Sequence, residues 1–137
     1  MQLTAEIKEK LINKANEIRK RAYVPYSDFP VGAAVLASSG KIYTGVNIEN
    51  ASYPLTICAE RVAIFKAIAA GEKDIIALAV STDTKRPASP CGACRQVMNE
   101  FNPDLEVIMV NISGLELQKT ASELLPEHFT ARDLDKS

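Results

Sequence analysis

Val31-Gly32-Ala33-Ala34-Val35-Leu36-Ala37 runs apolar throughout and places small residues at Gly32, Ala33 and Ala34. Small side chains in an apolar strand let other elements approach closely, so this stretch predicts a central strand covered on both faces. Ser38-Ser39-Gly40 turns the chain back, and Ile42 to Ile48 reads as a second strand, making a hairpin. Working outward towards the N-terminus, Ser27-Asp28-Phe29-Pro30 is a loop. Before it, Leu3, Ile7, Leu11, Ala15, Ile18 and Ala22 recur at helical spacing, with Thr4 placed to cap the start. That helix stops near Tyr23-Val24-Pro25, because the residue before a proline is pushed away from the helical region.

Towards the C-terminus, Cys58 to Ala70 reads as a helix that is apolar almost all round, which implies central burial, and Gly71 ends it. Ile75 to Ser81 is a buried strand. After the loop Thr82 to Ala88, Ser89 is placed as a helix cap with Pro90 at the first helical position. The helix that follows carries Cys91, Cys94, Val97, Met98 and Phe101 inward, and Asn102-Pro103 ends it. A strand over Glu106 to Asn111, a shorter one near Leu115 to Gln118 and a short helical segment at Ser122 to Leu125 complete the chain. The order predicts one domain over residues 1–137, a three-layer α/β/α sandwich with a mixed, mostly five-stranded sheet. Two strand–helix–strand units require parallel pairing, and the hairpin adds an antiparallel pair.

With 47% hydrophobic and 24% charged residues and a net charge of −1, the composition is that of a globular protein. A protein acting on a phosphate backbone needs a basic face, and Arg19-Lys20-Arg21 reads instead as a solvated helix end. A nucleic-acid partner is therefore not expected. No apolar run reaches the roughly 18 residues of a membrane span, and Met1 to Glu6 has no apolar signal core. A cytoplasmic location is expected, and in that reducing compartment the cysteines serve as thiolate ligands or buried thiols rather than disulfides.

All three cysteines lie in Thr56-Ile57-Cys58-Ala59-Glu60-Arg61 and Ser89-Pro90-Cys91-Gly92-Ala93-Cys94-Arg95. Three soft ligands hold a zinc ion and leave its fourth tetrahedral position open. Each segment sits where a strand has ended and a helix begins, so two helix N-termini converge and favour thiolates. Glu60, shielded beside the cluster, should have a raised pKa and act as a proton carrier. Three thiolates on Zn²⁺ leave a charge of −1, and Arg61 and Arg95, each next to a motif residue, are the candidates to donate to the sulfurs and offset it. A closed structural zinc clip is the other reading, although it gives Glu60 no task and the single histidine, His128, lies far outside any ligand spacing.

At Cys58-Ala59-Glu60 and Pro90-Cys91-x-x-Cys94 the sequence matches the zinc deaminase pattern. It resembles the cytidine deaminases, specifically the short class with three cysteine ligands. Pro25-Tyr26-Ser27-x-Phe29-x-Val31-Gly32-Ala33-Ala34 and Gly45-x-Asn47-Ile48-Glu49-Asn50-Ala51 look like further family blocks, so the likeness covers nearly the whole chain. The resemblance implies hydrolysis of cytidine and 2′-deoxycytidine in pyrimidine salvage, with one zinc per subunit held by Cys58, Cys91 and Cys94. Zinc hydroxide would attack C4 while Glu60 carries protons to N3 and then to the leaving amine. The Ala59 backbone would lie at the pyrimidine edge, the Ser89 carbonyl near the departing ammonia and Phe29 against the nucleoside.

Asn47 and Glu49, at i and i+2 of a strand, would present an amide and a carboxylate on one face, a pair suited to ribose hydroxyls. The family's homotetramer would further lend Tyr53 and Phe129 to a neighbouring site. Two departures are visible: Val46 stands where many members have a cysteine, and Glu127-His128 replaces the small residues often seen before the last aromatic. A deaminase of a cytidine-like antibiotic such as blasticidin S is the alternative substrate reading, and the Asn47/Glu49 pair argues against it.

Overall fold

The computed structural model describes residues 1–134, so the last three positions of the expected 1–137 domain lie outside the described residues. Helix α1 spans Ala5–Ile18, and the Thr4 hydroxyl accepts from the Ile7 N–H at 3.2 Å. A 3₁₀ turn over Arg19–Arg21 replaces the last helical turn expected up to Ala22. The cause is tertiary. The Tyr23 N–H donates to the Asn47 carbonyl at 3.0 Å and its carbonyl accepts from Glu49 at 2.9 Å, which needs an extended backbone at Tyr23.

Strand β1 is Val31–Ala37 and β2 is Ile42–Val46, joined at Gly40, whose φ of 93° favours glycine. Helix α2 is Ala59–Ala69, β3 is Ile75–Thr82 and α3 is Gly92–Phe101. Strand β4 is Glu106–Asn111, β5 is Glu116–Thr120 and α4 is Ala121–Leu124, the last opened by a capping box of Thr120 and Glu123.

The sheet has five strands in the order β2-β1-β3-β4-β5. It is mixed, as expected, but its pairing differs from the expectation of two parallel pairs. Only β3 and β4 pair in parallel; β1 is antiparallel to both β2 and β3. Strands β2 and β3 still run the same way, but β1 lies between them, so α2 crosses over an intervening strand. The small, apolar β1 takes that central slot because its alternate residues serve two cores. Ala33 and Val35 pack with α2 and α3 on one face, and Ala34 and Leu36 pack with Leu11 and Ala15 of α1 on the other. Three layers follow from that alternation.

Two glycines set the spacing of the layers. A methyl group on Gly32 would lie 2.2 Å from the Ala15 carbonyl, and one on Gly45 would lie 2.5 Å from the backbone of Ala59 and Ala63. Helix α2 therefore sits directly on β2, backbone against backbone.

Two further expectations are corrected. Helix α3 is capped by Cys91 rather than Ser89, because the Ser89 hydroxyl is taken by Arg95. Helix α2, apolar almost all round, is not buried all round: its inner side meets the sheet and α3, and Phe65 is 42% exposed. Phe101, expected inward, likewise lies at the exposed end of α3.

Gly45→Ala should lower stability by about 1–3 kcal/mol, because the backbone it meets has nowhere to retreat. Gly92→Ala adds a methyl with nothing within 4 Å and should change stability by less than about 0.5 kcal/mol. Urea unfolding of both variants checks the contrast.

Candidate metal centre and active site

Cys58 and Cys91 are the N-cap residues of α2 and α3, both with extended backbone, and neither makes a side-chain cap hydrogen bond. Their thiols are thus free to turn off the helix ends. Cys94 lies in the first turn of α3 and is buried. The three sulfurs fall within 4.8 Å of one another, with Cys58 to Cys91 at 3.7 Å and Cys91 to Cys94 at 3.4 Å. Sulfurs 2.3 Å from one tetrahedral ion stand about 3.8 Å apart, so this spacing suits zinc. No pair is bonded as a disulfide.

Electrostatics within the cluster are uneven. The Cys58 thiol is pulled below its ordinary range, first by hydrogen bonding with Cys94 and then, against the effect of burial, by Arg61 and Cys91. Cys94 is pushed up in turn, first by its hydrogen bond with Cys58 and then by burial. Arg61 is placed to meet a charge on Cys58: its guanidinium donates to the Cys58 sulfur at 3.4 Å. Arg95 does not share that task. Its three donor contacts go to the Pro90 and Leu124 carbonyls and the Ser89 hydroxyl, so the expectation that it donates to a sulfur is corrected.

Glu60 is 5% exposed and lines the same cavity of about 220 Å³ as Cys58 and Cys91. Its carboxyl is pushed up to about 7, chiefly by burial with the Cys58 thiolate adding, while its own backbone N–H and Arg61 oppose the shift. Phe29, Asn47, Ala59 and Ser89, the residues expected to meet a nucleoside, line this cavity too. Thr56, Val80, Thr82 and Ala88 also line it and escaped the sequence reading. Thr82 was findable in principle, since it ends a strand at the sheet edge where ligands bind in α/β folds.

Asn47 and Glu49 do not lie on a strand face, because β2 stops at Val46 and Ile48 instead bridges to Tyr23 and Ile57. Their side chains hold the loop before β1. The Asn47 amide donates to the Phe29 carbonyl at 2.8 Å and accepts from the Val31 N–H at 2.9 Å. The Glu49 carboxylate accepts from the Tyr26 N–H at 3.0 Å and from the Ser27 N–H at 3.1 Å, and also from the Ser27 hydroxyl. Those bonds, led by the Ser27 hydroxyl, hold its carboxyl below the ordinary range.

Glu49 and Tyr53 line a second cavity of about 330 Å³ that shares Thr56 with the first. Tyr53 is 70% exposed, edge-on to Tyr26 with ring centroids 6.0 Å apart. Phe129 is 54% exposed and lies outside both cavities of its own chain. Among the described residues, no helix is long and apolar enough to cross a membrane.

Three converging thiols, a buried carboxylate beside them and a sheet edge that forms the cavity define a thiolate-zinc hydrolase site. Residues 5–110 match the family described as the cytidine and deoxycytidylate deaminase zinc-binding region, and the chain belongs to that family. It is 54% identical over 129 residues to a cytidine deaminase of Halalkalibacterium halodurans, covering 93% of this chain and 98% of that protein. The crystal structure of cytidine deaminase from Burkholderia pseudomallei superposes with a TM-score of 0.87 at 47% identity, covering 93% of this chain and all of that one. Cytidine deaminase from Mycobacterium tuberculosis superposes with a TM-score of 0.77 at 35% identity, covering 89% of this chain and 96% of that one. The donor set and the family agree on zinc as the cofactor, and Cys58, Cys91 and Cys94 form a cluster that could hold it.

The purified chain should carry one zinc per chain, and Cys94→Ala should lose it, as elemental analysis will report. Arg61→Gln should keep the metal but weaken its binding by about 10–100-fold in competition with a chelator, because the Cys58 charge loses its partner.

Proposed function

We propose that the chain hydrolyses free cytidine and 2′-deoxycytidine to uridine, 2′-deoxyuridine and ammonia, as a cytoplasmic enzyme of pyrimidine salvage. The observation that carries this reading is the buried Glu60 carboxyl lining one cavity with Cys58 and Cys91 of the three-thiol cluster. The names of the relatives support cytidine as substrate. The net charge of −1 supports a free nucleoside over a polynucleotide.

Zinc, when held by Cys58, Cys91 and Cys94, supplies the Lewis acidity that lets water act as a nucleophile near neutral pH. Glu60 supplies proton transfer: a carboxyl with a pKa near 7 both accepts and returns a proton at working pH. In this reading it delivers protons to N3 of the pyrimidine and then to the leaving amine. Ala59, buried at the start of α2, offers its backbone to the pyrimidine edge, and Ser89 offers its carbonyl to the departing ammonia. Phe29 gives an apolar wall. Asn47 and Glu49 bind the ribose hydroxyls from the loop they themselves hold in place, and Glu49, ionised by its three donors, is a ready acceptor.

The reading includes a homotetramer in which Tyr53 and Phe129 complete a neighbouring site. Supporting it, both aromatics are left largely exposed by their own chain, together with Tyr26, Leu55 and Phe65.

Glu60→Gln should keep zinc and lose deamination by several orders of magnitude; near-normal turnover by this variant would remove Glu60 from the mechanism. Asn47→Ala should raise the KM for cytidine sharply at constant zinc content, and unchanged kinetics would end the ribose assignment. Absorbance assays with cytidine, deoxycytidine, cytosine, blasticidin S and a cytidine-containing oligonucleotide test the substrate class, with turnover expected for the first two alone.

A further inference from the structure

The segment joining β3 to α3 carries Ala88 and Ser89 into the cavity wall and delivers Cys91, yet residues 83–90 have no regular secondary structure. Such a segment keeps its position through individual hydrogen bonds. Near its start, the buried Asn111 side chain donates to the carbonyls of Thr84 at 2.9 Å and Lys85 at 3.2 Å. At its end one side chain holds it. Arg95 donates from Nε to the Pro90 carbonyl at 2.8 Å and from Nη2 to the Ser89 hydroxyl.

The same guanidinium also reaches a distant part of the chain. Its Nη1 donates to the carbonyl of Leu124, the last residue of α4, at 2.7 Å. Two neighbours on α3 repeat the pattern, with Asn99 donating to the Ala121 carbonyl and Gln96 to the Phe129 carbonyl, each at 2.9 Å. Helix α3 is thus fastened to residues 121–129 along its side, while its N-terminus carries Cys91 and Cys94.

We propose that Arg95 is a positioning residue whose guanidinium fixes Ser89 against the cavity and joins the C-terminal segment Ala121 to Phe129 to that same wall. The proposal rests on the deaminase reading for its kinetic consequence. Arginine suits the task because its donors form a rigid planar fork that spans acceptors on separate segments; the lysine ammonium is a point charge and cannot span them. Ser89 lines the cavity with its hydroxyl engaged by Arg95, and no hydrogen bond reaches its backbone carbonyl among the described residues, which leaves that carbonyl free as an acceptor. An acceptor displaced by about 1 Å costs up to about 100-fold in rate. One group therefore sets both the placing of that acceptor and the order of the C-terminal segment.

Arg95→Gln and Arg95→Lys test this in the full-length, zinc-loaded protein by zinc content, cytidine kinetics and hydrogen exchange. Both should keep one zinc per chain and lose about 10–100-fold in kcat with a smaller change in KM. Exchange should quicken in peptides covering 83–90 and 121–129 together, with peptides of α1 and β1 unchanged. Wild-type behaviour of Arg95→Lys would overturn the proposal, since charge and not the bridging fork would then suffice. Loss of zinc in step with activity would overturn it too, as would faster exchange in only one of the two segments. Should Arg95→Gln not fold, Arg95→Lys, which keeps the stem and the charge, decides on the same readings. Absence of cytidine turnover in the unaltered protein would remove the deaminase reading, and the paired exchange would still decide the role of Arg95.

Discussion

Concentrating three sulfurs within 4.8 Å is the constraint around which the structure is arranged. Thiolates that close repel one another, and each prefers water to a protein interior. The fold offsets this with two helix N-termini, one from each cysteine segment, whose positive dipole ends favour thiolates. Bringing both helix ends to one point requires α2 and α3 to lie on the same face of the sheet. That in turn requires α2 to cross over β1, and the crossing is tight because Gly45 allows α2 to rest on the backbone of β2. The central strand, the glycine and the metal position are three consequences of one demand.

Those parts of the site were legible in the sequence whose signals are local. Residue type and spacing were enough to read the cysteines as a cluster, Glu60 as a buried carboxyl and Val31–Ala37 as a doubly covered strand. What escaped was set by contacts between residues far apart in the chain. The place of β1 between β2 and β3 depends on pairing that no local pattern encodes. Ser89 has the composition of a helix cap, and it loses that role because Arg95, on the following helix, takes its hydroxyl. Asn47 and Glu49 alternate as a strand pair would, but Tyr23 pairs with the backbone beside them and their side chains are drawn to the loop 26–31. In each case a tertiary hydrogen bond overrode a sound local rule.

The two arginines make the same point from the side of charge. Each follows or closes a motif, so sequence position suggests equal roles. Arg61 lies in the first turn of α2 and meets the Cys58 sulfur, whereas Arg95 spends all its side-chain contacts on oxygen acceptors. Zinc with three thiolates carries −1, and one arginine is enough to bring that to zero. A second cation on the sulfurs would overcompensate and lower the electron density that the ligands give the metal, so Arg95 is free for a mechanical role.

Glu60 and Arg61 are adjacent on α2 and yet serve opposite ends of the same electrostatic problem. Successive residues on a helix project about 100° apart, so only one of them can enter the cavity while the other flanks the cap. Because Cys58 is the N-cap, with extended backbone, its sulfur lies off the helix end and is reachable from the Arg61 side. Glu60 is left facing the cavity, where burial raises its pKa and the nearby Cys58 thiolate raises it further. The position of the Cys58 cap therefore decides that Arg61 meets the sulfur and that Glu60 lines the cavity, and the close seat of α2 on Gly45 holds that cap against β2.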